Sequence, residues 1–244
     1  MTRLDQALVE QGLCDSREKA KRLILAGAVR VNGHPAKKAS DSIQPADKII
    51  VDTPEKFVSR GGHKLEHALT HFQLNVTDLT AIDIGASTGG FTDCLLQRGA
   101  KKVFAVDVGQ GQLAWKLRND ARVVVMEKTN ARFLKPENFP APADLIVADC
   151  SFISLTKILP PALPLLKPDS QIIALIKPQF EAGKAEVDKG RGVITDAAIH
   201  ERVLTELHDF VAAQAGLCWY GVVESPLLGP AGNKEFLALI EKVC

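Results

Sequence analysis

Apolar residues recur along this chain in two rhythms, and the change of rhythm divides it. Over residues 3–11, Leu4, Ala7 and Leu8 fall at helical spacing, and the pattern stops at Gly12. Asp15, three residues before Glu18, reads as a capping box that opens a second helix. That helix carries Ala20, Leu23 and Ile24 on one face and ends at Gly27, where a left-handed residue is wanted. Val29 and Val31, an Asn32-Gly33 turn and KIIV at 48–51 then predict a hairpin or small sheet. These elements make a small α+β domain over 1–52. The stretch DTPEKFVSR holds a proline and no period, which places a linker over 53–60.

From 61 to 244 the second rhythm takes over. A helix is expected from about Gly62, because Leu65, Ala68, Leu69 and Phe72 share a stripe. Lys64 near its start is disfavoured by the helix dipole unless an anion is close. Apolar runs then come at 80–84, 103–106, 122–126, 145–148 and 172–176, separated by the lengths a βα crossover requires. A long helix at 196–215 and two further strands at 218–224 and 235–241 follow. The spacing predicts an α/β domain with a doubly wound, mostly parallel seven-stranded sheet and ligands at the carboxyl ends of its strands.

The stretch AIDIGASTGGFTD at 81–93 reads as strand, glycine turn and helix, a device that presents backbone N–H groups to a ligand. No lysine occurs between Ile82 and Gly99, so the turn is no Walker loop. The gap from Gly85 to Gly89 departs from the dinucleotide fingerprint, which also disfavours a dehydrogenase. Asp83 before the turn repels a pyrophosphate and suits a cation. Asp107, at the end of the next strand, is placed to take a ribose diol. A ribose beside a positive centre points to S-adenosylmethionine, held by Asp83, Gly85, Ser87, Gly89, Gly90, Phe91, Thr92 and Asp107, with Asn130 on the adenine side.

Composition narrows the partners. The 244 residues are 46% hydrophobic and 24% charged with a net charge of +1, so a sizeable core is available. Residues 1–40 hold eight Lys/Arg against four Asp/Glu, a local excess that suits a polyanion. The five cysteines are widely spaced without a C-x-x-C pair, which suggests reduced thiols and no metal. No signal segment and no membrane-spanning run is seen, and aromatics make up only 5%; a cytoplasmic location is expected and membrane lysis is not.

The run RLDQALVEQGLCDSREKAKRLILAGAVRVNG resembles an S4 domain, an RNA-binding module. The resemblance rests on Ser16, Arg17, Ala20, Gly27, Val31, Asn32 and Gly33. It implies that Arg3, Arg17 and Lys21 meet phosphates from one exposed face, with Lys37 and Lys38 extending it from the sheet.

Asp149 and Lys177 leave fully apolar strands at the cofactor edge, followed by a polar segment from 178 to 194 that could close over a substrate. An ammonium there calls for a carboxylate partner, Asp149 by topology, or for an easier loss of its proton. DIGASTGGFTD, VADCSFISL, IKPQFEAG and GPAGNKEF resemble the FtsJ-like methyltransferase domain. Joined to an S4 domain, the whole is similar to the TlyA, or haemolysin A, family of ribosomal RNA ribose methyltransferases. The resemblance implies a catalytic tetrad of Lys64, Asp149, Lys177 and Glu235, with ribosomal RNA or a ribosomal subunit as partner. In that reading Lys177, held by Asp149 and aided by Lys64, engages a ribose 2'-hydroxyl as base or steering group, and Glu235 orients Lys64 or the ribose. Rival expectations are a membrane-lytic protein and an RNA-binding protein with a degenerate enzyme domain.

Overall fold

A computed structural model describes residues 2–52 and 55–243; Thr53 and Pro54 of the expected linker, and Cys244, lie outside the described residues. The chain divides into two compact units, 1–56 and 57–244.

In the first unit the order is β1 (Thr2–Arg3), α1 (Leu4–Glu10), α2 (Arg17–Leu25), β2 (Val29–Val31), β3 (His34–Pro35), β4 (Ser42–Ile43) and β5 (Ile49–Val51). Strands β3, β2 and β5 form one antiparallel sheet, and β1 pairs with β4. Asn32 (φ 52°) and Gly33 (φ 82°) both take the left-handed conformation that a tight primed hairpin turn demands. Leu4, Leu8, Ala20, Ile24, Val29 and Ile43 close a small core. The cap of α2 is one residue later than expected. Ser16, not Asp15, accepts from the Lys19 N–H at 3.3 Å, whereas Asp15 forms an exposed ion pair with Lys19.

The second unit begins earlier than the helix pattern suggested. Phe57 is buried, and the Val58 N–H donates to Asp93 Oδ2 at 2.8 Å, so 57–60 belong to this unit and not to a linker. Its elements are α3 (Gly61–His71), β6 (Thr80–Ile84), α4 (Gly90–Gln97), β7 (Lys102–Val106), α5 (Trp115–Arg118), β8 (Val123–Met126), β9 (Ala143–Ala148), α6 (Leu159–Ala162), β10 (Leu166–Ile176), α7 (Pro178–Glu181), α8 (Lys184–Lys189), α9 (Ala197–Ala212), β11 (Leu217–Glu224) and β12 (Phe236–Lys242). The seven strands lie in the order β11-β12-β10-β9-β6-β7-β8. From β10 to β8 every pairing is parallel, and β12 runs antiparallel to both of its neighbours.

The alternation of side chains along each strand builds a core on either face. Ile82, Ile84, Ile172, Ala174, Ala238 and Ile240 join one, which packs beneath α9 and α6. Ala81, Ile173, Leu175, Leu237 and Leu239 join the other, against α3 and α4. Both faces are covered, as a parallel sheet requires. Asp83 belongs to the second face by the same period of two.

Candidate active site

The turn after β6 is shaped by residues with positive φ: Gly85 (84°), Ser87 (49°) and Gly89 (98°). A β-carbon at Gly85 would lie 2.7 Å from the Asp149 carbonyl oxygen, so the ends of β6 and β9 meet too closely for a side chain. Gly90 is equally tight, since a β-carbon there would lie 2.8 Å from the Gly62 N. The first turns of α3 and α4 therefore lie side by side, and two helix N-termini converge on one place.

Two cavities open at this edge of the sheet. The larger, about 810 Å³, is lined by Arg60, Lys64, Asp149, Lys177, Gln179 and Glu235 among others. The second, about 610 Å³, carries Asp107, Asn130 and Arg132 between apolar walls that include Val106, Val108, Ile153 and Ile158. Gly85, Ser87, Asp149, Ser151 and Phe152 line both, so the turn and the Asp149 strand end form a common wall. Volumes of this size suit a small-molecule ligand.

Five charged residues line the larger cavity, Arg60 and two lysine–carboxylate pairs. Lys64 on α3 is paired with Glu235, which stands just before β12. Lys177, at the end of β10, lies 2.6 Å from Asp149 Oδ1 and donates to Ser151 Oγ at 2.8 Å. The contact with Asp149 falls outside hydrogen-bond angles, and that oxygen has no hydrogen-bond donor. Glu235 Oε1 and Gln179 Oε1 are likewise buried without donors. The cavity wall thus carries two ammonium groups, each held by a carboxylate. Cys150, on the second cavity, is no ready nucleophile, because burial, with Asp149 close by, pushes its thiol up to about 12.

The expected cofactor residues fall into three groups. Gly85, Ser87, Gly90 and Phe91 line the larger cavity, and Asp107 and Asn130 line the second. Asp107 accepts from the N–H groups of Ser87 (2.8 Å) and Gly109 (2.7 Å), and Asn130 Oδ1 accepts from the Arg132 N–H at 3.1 Å. Both side chains thus stiffen turns while facing the cavity. Gly89, Thr92 and Asp83 stand behind the turn. A β-carbon at Gly89 would meet the side chains of Leu117 and Leu113.

The expectation that Asp83 forms an acidic mouth is corrected. Its carboxylate is 0% exposed, and Oδ2 accepts from the Thr92 N–H (2.9 Å) and hydroxyl (2.6 Å). It therefore caps α4 from below, in the third helical position where a free N–H needs a partner. Desolvation, with Asp149 and Asp107 adding repulsion, outweighs the Thr92 bonds and raises the carboxyl to about 7.

On the first unit, Lys21, Lys37 and Lys38 are exposed, the last two in the β3–β4 loop and not on a strand. Arg3 and Arg17 are tied down. Both pair with the buried Asp5, at 3.0 and 2.9 Å, and half of each side chain remains exposed. The hydrogen bond from Arg3, reinforced by Arg17 against desolvation, holds the Asp5 carboxyl at about 2.

Several lining residues escaped the sequence reading: Arg60, Ser151, Phe152, Gln179 and Asn233. Phe152 is 89% exposed at a φ of 62°, an uncommon backbone for a bulky residue, with its ring 5.0 Å from that of Phe180. A phenylalanine three residues past a strand-end aspartate, in DCSFISL, was the available signal. Among the described residues no group of three or more His, Cys, Asp or Glu could hold a metal.

Comparison with known proteins agrees with this geometry. Residues 57–242 match the model of the FtsJ-like methyltransferase family, and residues 2–49 match the S4 domain. A 16S/23S rRNA (cytidine-2'-O)-methyltransferase TlyA from Mycobacterium tuberculosis is 48% identical over 239 residues, covering 96% of this chain and 87% of that protein. A Hemolysin A from Brachyspira hyodysenteriae is 45% identical, covering 97% of this chain and 98% of that protein. A solved Streptococcus thermophilus structure described as a hemolysin aligns with a TM-score of 0.76 at 45% identity, covering 99% of this chain and 88% of that one. The chain belongs to the FtsJ-like methyltransferase family, in the group that carries an S4 domain ahead of the enzyme and goes by the names TlyA and haemolysin A.

Proposed function

We propose that this chain transfers a methyl group from S-adenosylmethionine to a ribose 2'-hydroxyl of ribosomal RNA, in the cytoplasm, with the S4 unit binding the RNA. The observation that carries the reading is the pair of lysine–carboxylate couples, Lys177–Asp149 and Lys64–Glu235, facing one cavity beside the glycine turn. The residues present fit the cofactor: Asp107 and Asn130 line a cavity with apolar walls, and that cavity shares the turn with the lysine-lined one. Asp107 and Asn130 would hold the nucleoside portion, and Gly85 and Ser87 the join between the cavities. When bound, the cofactor supplies a methyl already activated on a cationic sulfur.

The chain's own task is then to position a poor nucleophile and take its proton. Lys177, steadied by Asp149 and Ser151, directs an N–H at the hydroxyl oxygen. The proton leaves toward the Lys177–Asp149 couple, the carboxylate taking up charge as the ammonium–carboxylate pair rearranges. Lys64 holds the ribose or its phosphate from the opposite wall, fixed by Glu235. Phe152 at the rim offers a face on which a base turned out of its stack can rest.

The test is to incubate the purified chain with methyl-labelled cofactor and ribosomal RNA or subunits and map ribose methylation by mass spectrometry. Lys177→Ala is expected to lower transfer by about a thousandfold, by loss of both the proton route and the alignment, with cofactor affinity within about threefold. Retained turnover in that variant would refute the assignment. Among the described residues no helix is long and apolar enough to cross a membrane, which gives lysis no support.

A further inference from the structure

The motif GPAGNKEF contains a residue that the reaction described above leaves without a task. Asn233 is 1% exposed. Its Oδ1 accepts from the Ile194 N–H at 2.8 Å, and its Nδ2 donates to the Gly192 carbonyl at 2.9 Å. A donor on one side and an acceptor on the other fix the orientation of the amide. The Asn233 carbonyl accepts from the Gly229 N–H at 2.9 Å, closing the turn that leads to Glu235. Gly229 in turn sits on Glu235, where a β-carbon would lie 2.4 Å from Oε1. From the far side, the buried His200 meets the Ile194 carbonyl through Nε2 at 3.0 Å.

One side chain therefore clasps two segments that are distant in sequence. The first runs from 178 to 194 and starts directly after Lys177. The second is the 229–235 turn, which ends at the partner of Lys64. The first segment is buried at Pro178 and Ile194, whereas α8 between them has no buried residue and is tied to α9 by the exposed Glu186–Arg202 ion pair. We infer that Asn233 is a positioning residue for methyl transfer: it fastens the 178–194 segment along the cavity and registers the Glu235 turn against it, so that both lysine couples face one point. An apolar side chain of similar size would leave the Ile194 N–H buried without a partner and the half-buried Gly192 carbonyl without its donor. The inference rests on the methyl-transfer reading for its catalytic half and on geometry alone for its clasp.

The experiment uses the full chain with Asn233→Ala and Asn233→Asp. Amide hydrogen exchange, without cofactor or RNA, is expected to rise about tenfold or more across 184–194 in Asn233→Ala, with β6 and β9 unchanged. In methyl-transfer assays kcat should fall about thirtyfold, while KM for RNA and Kd for the cofactor stay within about threefold. Asn233→Asp adds a readout that a merely structural role would not move. Protonated, the new carboxyl restores a donor toward Gly192, and burial favours that neutral form, so variant activity relative to wild type should rise as pH falls. Unchanged exchange in 184–194 overturns the clasp. Increased exchange with kcat within about threefold of wild type, or a flat pH ratio, overturns the positioning role. Should Asn233→Ala fail to fold, Asn233→Asp at neutral pH gives the same exchange comparison. If the wild-type chain transfers no methyl, the proposed function fails, and the exchange result still decides the clasp.

Discussion

Replacing Lys64 by methionine strands a carboxylate in a wall that cannot adapt to it. Glu235 is 1% exposed, its Oε1 has no donor, and Gly229 packs directly against it. Removing one partner of a buried ion pair costs about 3–5 kcal/mol, and the tight packing here places Lys64→Met toward the upper end. The reverse change is milder, because in Glu235→Gln the lysine has an open cavity of about 810 Å³ into which it can swing. There the cost should be about 1–2 kcal/mol. In Lys64→Met/Glu235→Gln the buried charge is gone, so the double variant should be at least about 2 kcal/mol more stable than Lys64→Met alone. Urea denaturation followed by tryptophan fluorescence measures this cleanly. The two tryptophans of the chain, Trp115 and Trp219, both belong to the second unit, so the signal reports that unit alone. The double variant should recover stability without recovering methyl transfer. A cost below about 1 kcal/mol for Lys64→Met, or a double variant no more stable than that single one, would refute the account of a coupled buried pair.

Other expectations follow from the same structure. Asp83 has a carboxyl raised to about 7 from 3.8, so between those values the native state binds more protons than the unfolded state, and wild-type stability falls as pH rises across that window. Asp83→Asn keeps an acceptor for Thr92 without the charge. Its advantage over wild type should grow from pH 4 to 7, with a ceiling on the order of 4 kcal/mol, and equal pH profiles in urea denaturation would sink the idea. On the first unit, changing Lys21, Lys37 and Lys38 together to alanine should flatten the dependence of RNA affinity on salt, lowering the slope of log K against log salt by about 2–3. Filter binding across a salt series measures it, and an unaltered slope would remove those lysines from the RNA contact. Arg17→Ala should act differently and lower the melting temperature of the first unit, since Asp5 loses one of two cations.

The sheet was legible because period-two alternation and crossover lengths are local properties. Six of the seven strands fall within two residues of where the apolar runs place them, β10 starts six residues earlier than its run, and Gly27, Asn32 and Gly33 take the left-handed backbone that their positions suggested. The site was legible only where it coincides with strand ends, as at Asp149 and Lys177. Lys64 and Glu235 pair across 171 residues, a juxtaposition that no local rhythm announces and that entered through family resemblance alone. Asp83 was misjudged for a related reason. A strand-end carboxylate points to whichever face its register dictates, and here that face lies beneath α4, so the group is buried and caps a helix. The α2 cap shows the finer limit: Asp15 and Ser16 are both good caps, and only the backbone path chose between them.

Strand β12 follows β11 in the chain yet lies between β10 and β11 in the sheet. Until it is made, two strands wait with unfilled edges, and a product interrupted after Glu224 would present both to its neighbours, an invitation to aggregate. The residue just ahead of that strand is Glu235, so closing the sheet and neutralising Lys64 are one event. Completion of the lysine-lined cavity is thereby tied to the last strand of the chain, and a half-made chain lacks the partner of Lys64.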